Sequence, residues 1–430
     1  MIAYLSVLIC CFLGLVTIGG QATRYVAPDG DDADPGTRDA PWRTLQHAAD
    51  EAGPGDIVCI REGVYRGPVT VRNSGAPGAP ITFMCAPGAT VTVDGAGAEG
   101  RTGGVISVLD AGHLRILGLR VVNAERRGQS GIFLRGAHHV TVRDCATLNT
   151  LSSGIKLIES TDVVLDGNEI ERACLGGAEE CITVKIRSDR VEVRNNHIHH
   201  CEKEGIDIKE GARNVRVHGN RIHHVKRQGL YADAWDLETY NIEFFNNVVH
   251  DCGFGMAFCT ENNGLLRDVR AYNNLIYNNG GPGIVVADWG KGETHEIRDL
   301  HIVNNTVVNN GATRKWGGGM RFENPAAHNV VVRNNIFSRN WPGQMVIHKD
   351  VADRTVDHNL IHGETELEGD EAVRGAPQFV NAGEGDFRLQ SNSPAIEAGS
   401  ARNAPVEDFD GNQRPRGTAV DIGAHEHHPD

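Results

Sequence analysis

Chemically capable residues recur at one short position along the middle of the chain. Asp207 and Lys209 stand in Gly205-Ile-Asp-Ile-Lys, and Tyr231 and Asp233 in Gly229-Leu-Tyr-Ala-Asp, with Asp236 close behind. Lys185 ends Ile182-Thr-Val-Lys, preceded by Glu179 and Glu180. Glu261 and Asp288-Trp289 follow later in the same pattern, then Arg321 and Glu323. A lysine beside a second cation gives up its proton more readily and can serve as a general base. Grouped carboxylates can hold a hard cation or divide into an acid and a base, and a tyrosine can return a proton. All of these roles require side chains about two dozen residues apart to be neighbours.

A repeat supplies that proximity. An Asn tag ends at Asn168, Asn196, Asn220, Asn247, Asn274, Asn305 and Asn335, at spacings between 24 and 31 residues. Each copy is followed by an apolar stretch and then, in most coils, by a glycine. A period of this length with β-rich units predicts a β-solenoid. Three strands are expected per turn: one after the glycine, one before the tag and one after it. Together they form a single-stranded parallel β-helix of all-β class. The Asn tags read as a turn ladder, one buried amide per coil bonding its neighbours above and below. The histidines beside them (His197, His199, His200, His223 and His224) read as exposed or stacked turn residues, with metal binding as the alternative.

Alternation after the glycine sends the first and third residues inward and the second and fourth outward. Equivalent outward positions then form columns at a rise of about 4.8 Å per coil. One column reads Lys156, Thr183, Asp207, Tyr231, Ala257, Val285 and Arg321. Its neighbour reads Ile158, Lys185, Lys209, Asp233, Cys259, Ala287 and Glu323. The middle coils therefore gather Lys185, Asp207, Lys209, Tyr231 and Asp233 on one patch. Asp236, Glu179 and Glu180 lie at its border, and Glu261 and Trp289 flank it. Solvated charge on an outward face is the plain alternative.

Two reactions suit the patch. In the first, a uronate polymer loses the proton α to its carboxylate, which requires a base and a cation to neutralise that carboxylate. Lys209 or Lys185 is the expected base, Tyr231 a proton donor, and Asp207, Asp233 and Asp236 the ligands of a Ca²⁺ ion. Elimination makes this a lyase; returning the proton from the other face makes it an epimerase. In the second, a carboxylate pair, Asp207 with Asp233 or Asp233 with Glu261, hydrolyses a glycosidic bond. Arg321, Glu323, Trp289 and Glu180 are assigned to substrate binding. Trp235, Trp289 and Trp316 are candidates to stack on sugar rings, with core or turn packing as the alternative. A third, non-catalytic reading is a glycan-binding solenoid.

Outside the coils the texture changes. Trp42 to Ala52 reads as an amphipathic helix covering the open end of the first coil, and residues 375–430 as a C-terminal cap. The expected segments are 1–22 as a signal peptide, 23–103 as cap and first coils, 104–374 as the coils, and 375–430 as the closing cap. Residues 1–22 carry no charged side chain, and the run from Leu5 to Ile18 is almost wholly apolar. It falls short of the roughly 20 residues a span needs, so export to a secreted or periplasmic location is expected, with a short membrane anchor as the alternative. Net charge is −14 among 430 residues, which disfavours nucleic acid as a partner. A polysaccharide partner, no membrane span after signal cleavage and a monomeric state complete the expectation. Eight of the ten cysteines lie beyond residue 22. Cys174 with Cys181, and Cys252 with Cys259, are near pairs suited to disulfides, and buried thiols are the alternative.

The segments Tyr25-Val-Ala-Pro-Asp-Gly, Pro41-Trp-Arg-Thr-Leu-Gln, Gly55-Asp-Ile-Val and Asp421-Ile-Gly-Ala resemble those of exported right-handed parallel β-helix proteins of the pectate-lyase-like superfamily. The resemblance spans nearly the whole chain after residue 22. It implies a right-handed coil and action on a polysaccharide. Asp233-Ala-Trp-Asp236 is similar to the Asp-Asp-Gly-Trp-Asp calcium motif of family nine pectate lyases. Asp233 and Asp236 match its last two carboxylates, and Asp207, one coil earlier, matches another. The motif's first Asp is Ala232 here. The lysine that the family uses as base is expected near Ala257, where there is none.

Overall fold

The computed structural model describes residues 22–97, 103–291, 295–311 and 316–428. The expected signal peptide lies outside the described residues apart from Ala22.

Three parallel sheets run the length of the molecule. Among the described residues, two have 13 strands each and one has 11, and successive coils are neighbours in every sheet. The strand after each glycine belongs to the 11-stranded sheet, the strand before each Asn tag to one 13-stranded sheet, and the strand after the tag to the other. This is the predicted three-strand coil. Inward residues such as Ile206, Ile208, Leu230, Met256, Phe258, Ile284 and Phe322 form one continuous apolar core through the stack.

The turn chemistry explains the two-residue tags. The first residue of the pair is left-handed: Asn195, Asn246, Asn273, Asn304 and Asn334 have φ between 53° and 55°, and glycine takes the same place at Gly167 and Gly219. Asparagine and glycine tolerate that region best. The second residue is the ladder. Asn247 Nδ2 donates to Asn274 Oδ1 (3.0 Å) in the next coil and to Val217 O (2.9 Å) in the previous one, while its Oδ1 accepts from Asn220 N and Nδ2. The ladder runs without a break from Asn168 and extends one coil beyond the predicted end, to Asn359. A second ladder of Asn279, Asn310 and Asn340, closed by Gln344, stacks at another corner. The glycine before the strand serves close packing. A Cβ on Gly205 or Gly255 would run into the carbonyl oxygen of the next coil's glycine.

The predicted helix is Leu45–Glu51, capped by the Thr44 hydroxyl, which accepts from His47 N (3.1 Å). Leu45, Ala48 and Ala49 join the core, and Gln46 exchanges two hydrogen bonds with Thr70 in the strand Val69–Val71. The C-terminal segment runs back along the side of the coils, where it meets the left-handed asparagines of the tags. Asn273 Nδ2 donates to Glu407 O (2.8 Å), Asn304 Nδ2 to Asp421 O and Gly423 O (3.0 Å each), and Asn334 Nδ2 to Ser400 O (2.8 Å). Those amides need partners wherever they are shielded from water. Of the two readings of the cysteines, the structure has the thiols: the eight described cysteines are free. Cys252 packs in the inner core and Cys259 on the outer face of the sheet, so the wall of the coil separates them.

Candidate active site

Strand register brings the predicted columns together. Thr183, Asp207, Tyr231, Ala257, Val285 and Arg321 pair in succession through the strands Ile182–Lys185, Ile206–Ile208, Gln228–Ala234, Phe254–Thr260, Ile284–Asp288 and Met320–Glu323. Asp233, Cys259, Ala287 and Glu323 form the neighbouring column. These residues point outward yet are covered. Asp207 is 1% exposed and Asp233 2%. Downstream, Tyr231, Phe254, Ala257, Cys259, Val285 and Ala287 make an apolar outer layer beneath Trp289 and Trp316. Trp289 lies 5.8 Å from the Tyr231 ring and 6.5 Å from Trp316. Both tryptophans are half-buried, whereas Trp235 is exposed.

The lysines depart from their predicted role as bases. Lys209 Nζ lies 2.7 Å from Glu180 Oε1 and 3.2 Å from Asp207 Oδ2. Lys185 Nζ contacts Glu179 Oε2 (3.2 Å) and Glu210 Oε1 (3.9 Å), and Lys156 contacts Glu179 Oε1 (3.1 Å). Carboxylates from the loop before Cys181 thus stand between the cations. Burial would lower the Lys209 ammonium, but Asp207 and Glu180 outweigh it and hold it above the ordinary lysine value. The mutual repulsion expected between Lys185 and Lys209 does not free a base, because each ammonium has its own carboxylate partners.

Two of the carboxylates are not fully compensated. Burial pushes the Asp207 carboxyl well up; Lys209 opposes this, and Glu180 and Asp233 add to it. Asp233 is likewise pushed well up by burial and then by Glu261. Asp207 Oδ1 and Asp233 Oδ1 are buried without a hydrogen-bond partner, while Asp207 Oδ2 faces only the Lys209 ammonium at 3.2 Å. Buried polar atoms of this kind are rare and call for a missing partner such as a water or an ion. The donor set is all oxygen, which suits a hard divalent cation. Asp236 sits exposed just past the same strand and does not join a close ligand group with these two. Instead Asp233, Cys259 and Glu261 bring ligand atoms within 4.8 Å of one another. Tyr231 Oη donates to Glu261 Oε1 at 3.3 Å. The buried thiol of Cys259, raised by burial and then by Asp233, is a neighbour that sequence reading placed in the column without assigning it a role. The buried Glu204, whose carboxylate is ion-paired with Arg227 (3.0 Å) and Lys203 (3.6 Å), was missed altogether, because it precedes the glycine that anchors the columns.

The substrate-binding candidates divide. Glu180 is buried and committed to Lys209 and to the Thr183 hydroxyl (3.0 Å). Arg321 Nε is bonded to Glu323 Oε1, which also accepts from Trp316 Nε1 at 2.7 Å. These three residues form a linked group beside the aromatic layer.

Comparison with known proteins gives two family matches. The right handed beta helix region matches residues 130–296 and 267–361, and a Pel9A-like right handed beta helix region matches residues 24–171. The Bacillus subtilis protein YwoF is 26% identical over 436 residues, covering 86% of this chain and 91% of that protein. Pectate lyase PEL9 of Emericella nidulans is 29% identical over 159 residues, 34% of this chain and 38% of that enzyme. Among solved structures, pectate lyase Pel9A superposes with a TM-score of 0.57 at 16% identity, covering 95% of this chain and 97% of that one. The coil, its hand and its pectate-lyase-like character agree with the sequence expectation.

Proposed function

The chain belongs to the right-handed β-helix family, and from that premise we propose that it is an exported carbohydrate-active enzyme cleaving a uronate polysaccharide by cation-assisted β-elimination at the Asp207–Asp233 patch. The observation that carries this reading is the pair of buried carboxylates on adjacent coils, each with an Oδ1 that lacks a hydrogen-bond partner. Asp207 and Asp233 would hold a calcium ion, with Asp236 as the nearby exposed carboxylate. When bound, that ion neutralises the substrate carboxylate and so acidifies the proton α to it. Lys209, kept as an ammonium by Glu180 and Asp207, supplies a second fixed positive charge for the same carboxylate. With the lysines ion-paired, Glu261 is the group available to take the α-proton, and Tyr231, hydrogen-bonded to it, is available to protonate the leaving oxygen. Trp289 and Trp316 offer apolar surface for sugar rings beside them. Similarity to pectate lyase PEL9 over part of the chain supports the reaction class.

A second reading rests on one specific feature. Asp233 and Glu261 have ligand atoms within 4.8 Å, and burial raises Asp233. A raised acid close to a second carboxylate is the arrangement of a retaining glycosidase.

The test is a panel of acidic and neutral polysaccharides assayed with and without a calcium chelator. Elimination yields a 4,5-unsaturated product that absorbs in the ultraviolet and is lost with the chelator. New reducing ends without that absorbance would replace the lyase reading with the glycosidase.

A further inference from the structure

A cluster of imidazoles lies on a different sheet from the carboxylates, and nothing above gives it work. In the 13-stranded sheet after the Asn tags, Glu169 pairs with His197, and His199 with His223 and then His250. His199, His223 and His250 stack with ring centroids 5.3 and 5.1 Å apart, and the stack continues onto Tyr277. We propose that Glu169, His197 and His199 form a binding site for a divalent transition-metal ion that clips two successive coils together.

Geometry and ring orientation carry the proposal. The three residues bring one ligand atom each within 4.8 Å of the others. Glu169 Oε1 is 3.2 Å from His199 Nε2 and 3.9 Å from His197 Nδ1. A tetrahedral zinc ion, with ligands at about 2.0–2.1 Å, spaces its donors by about 3.3 Å. The far nitrogen of each ring is already engaged. His197 Nε2 meets His223 Nε2, His199 Nδ1 meets His200 Nδ1, and His223 Nδ1 meets His224 Nδ1, all at 2.8 Å. Metal-ligating histidines characteristically have that second nitrogen hydrogen-bonded, which fixes the tautomer. If His197 donates from Nε2 and His199 from Nδ1, both remaining lone pairs face the Glu169 carboxylate and a cation between them satisfies all three. Left-handed turns at His200 and His224 (φ 55° and 54°) hold the two outer rings in place. Imidazole with one carboxylate selects Zn²⁺, Ni²⁺ or Cu²⁺ over Ca²⁺ or Mg²⁺.

The experiment uses the full chain, stripped with chelator and dialysed, then titrated with Zn²⁺, Co²⁺ and Ca²⁺ while melting temperature and the visible Co²⁺ spectrum are followed. One equivalent of Zn²⁺ should raise the melting temperature, and Co²⁺ should give a tetrahedral absorption band. Glu169→Gln, at a half-exposed site that tolerates the change, and His199→Gln should each weaken Zn²⁺ binding at least about tenfold. Asp207→Asn should leave Zn²⁺ binding unchanged. A wild-type protein that binds no Zn²⁺, or one whose Zn²⁺ affinity survives both the Glu169 and His199 variants, would overturn the proposal and leave a stacked, metal-free histidine ladder.

Discussion

Replacing Lys209 with methionine isolates what the buried ammonium does. Its side chain is 12% exposed, and its two partners, Glu180 and Asp207, are 9% and 1% exposed. Methionine keeps most of the volume and removes the charge, leaving two shielded carboxylates facing each other. Breaking a buried pair by deleting one partner costs about 3–5 kcal/mol. The assay is urea unfolding followed by tryptophan fluorescence, at about pH 7 and about pH 5. The deficit should fall in the quoted range at the higher pH and shrink at the lower one, because the Asp207 carboxyl, pushed up by burial, no longer needs the ammonium once it takes up a proton. Lys209→Arg, which keeps the cation, should retain most of the stability. A deficit below about 1 kcal/mol at neutral pH, where exposed pairs fall, would refute the reasoning. So would a deficit that grows as the pH falls.

Three further outcomes are expected. Asn247→Ala deletes four ladder hydrogen bonds and should cost about 4 kcal/mol at about 1 kcal/mol each, read by denaturant midpoint. At the left-handed position before it, Asn246→Gly should stay within about 1 kcal/mol of wild type, whereas Asn246→Val should be markedly destabilising, since a β-branched residue resists positive φ. Burial raises the folded-state Asp207 carboxyl above its ordinary 3.8. The stability tied to it is therefore full below that value and lost as pH rises toward the folded one. Asp207→Asn abolishes the dependence, so its melting temperature relative to wild type should climb as the pH is raised above the ordinary carboxylate value.

The coil was legible because two signals agreed. The tag spacing set the period, and the glycine before each strand fixed which residues share a column. That is why Asp207, Tyr231 and Asp233 were placed as neighbours without a structure. The Asn-Asn and Gly-Asn pairs carried the turn as well, one residue for its left-handed backbone and one for its buried amide. The protonation state of Lys209 was not legible. It depends on Glu179 and Glu180, which reach the patch from a loop whose path no periodicity describes. The burial of the outward face escaped for a related reason, since Trp289 and Trp316 lie past the ends of the alternating strands. Asn279, Asn310 and Asn340 did signal the second ladder, since they repeat at the spacing of Asn274, Asn305 and Asn335, but their offset from those tags places them at a different corner of the coil. The side-on course of residues 375–428 depends on contacts with coils more than a hundred residues earlier, which local pattern does not encode.

The most direct measurement is the rate at which Asp233→Asn releases unsaturated product from the best substrate in the panel, beside its melting temperature. Loss of at least about a hundredfold in rate, the range of a missing acid, base or charge-stabilising group, with a melting temperature equal to or above wild type, is the predicted result. A variant that cleaves within about twofold of wild type would remove the patch from the chemistry.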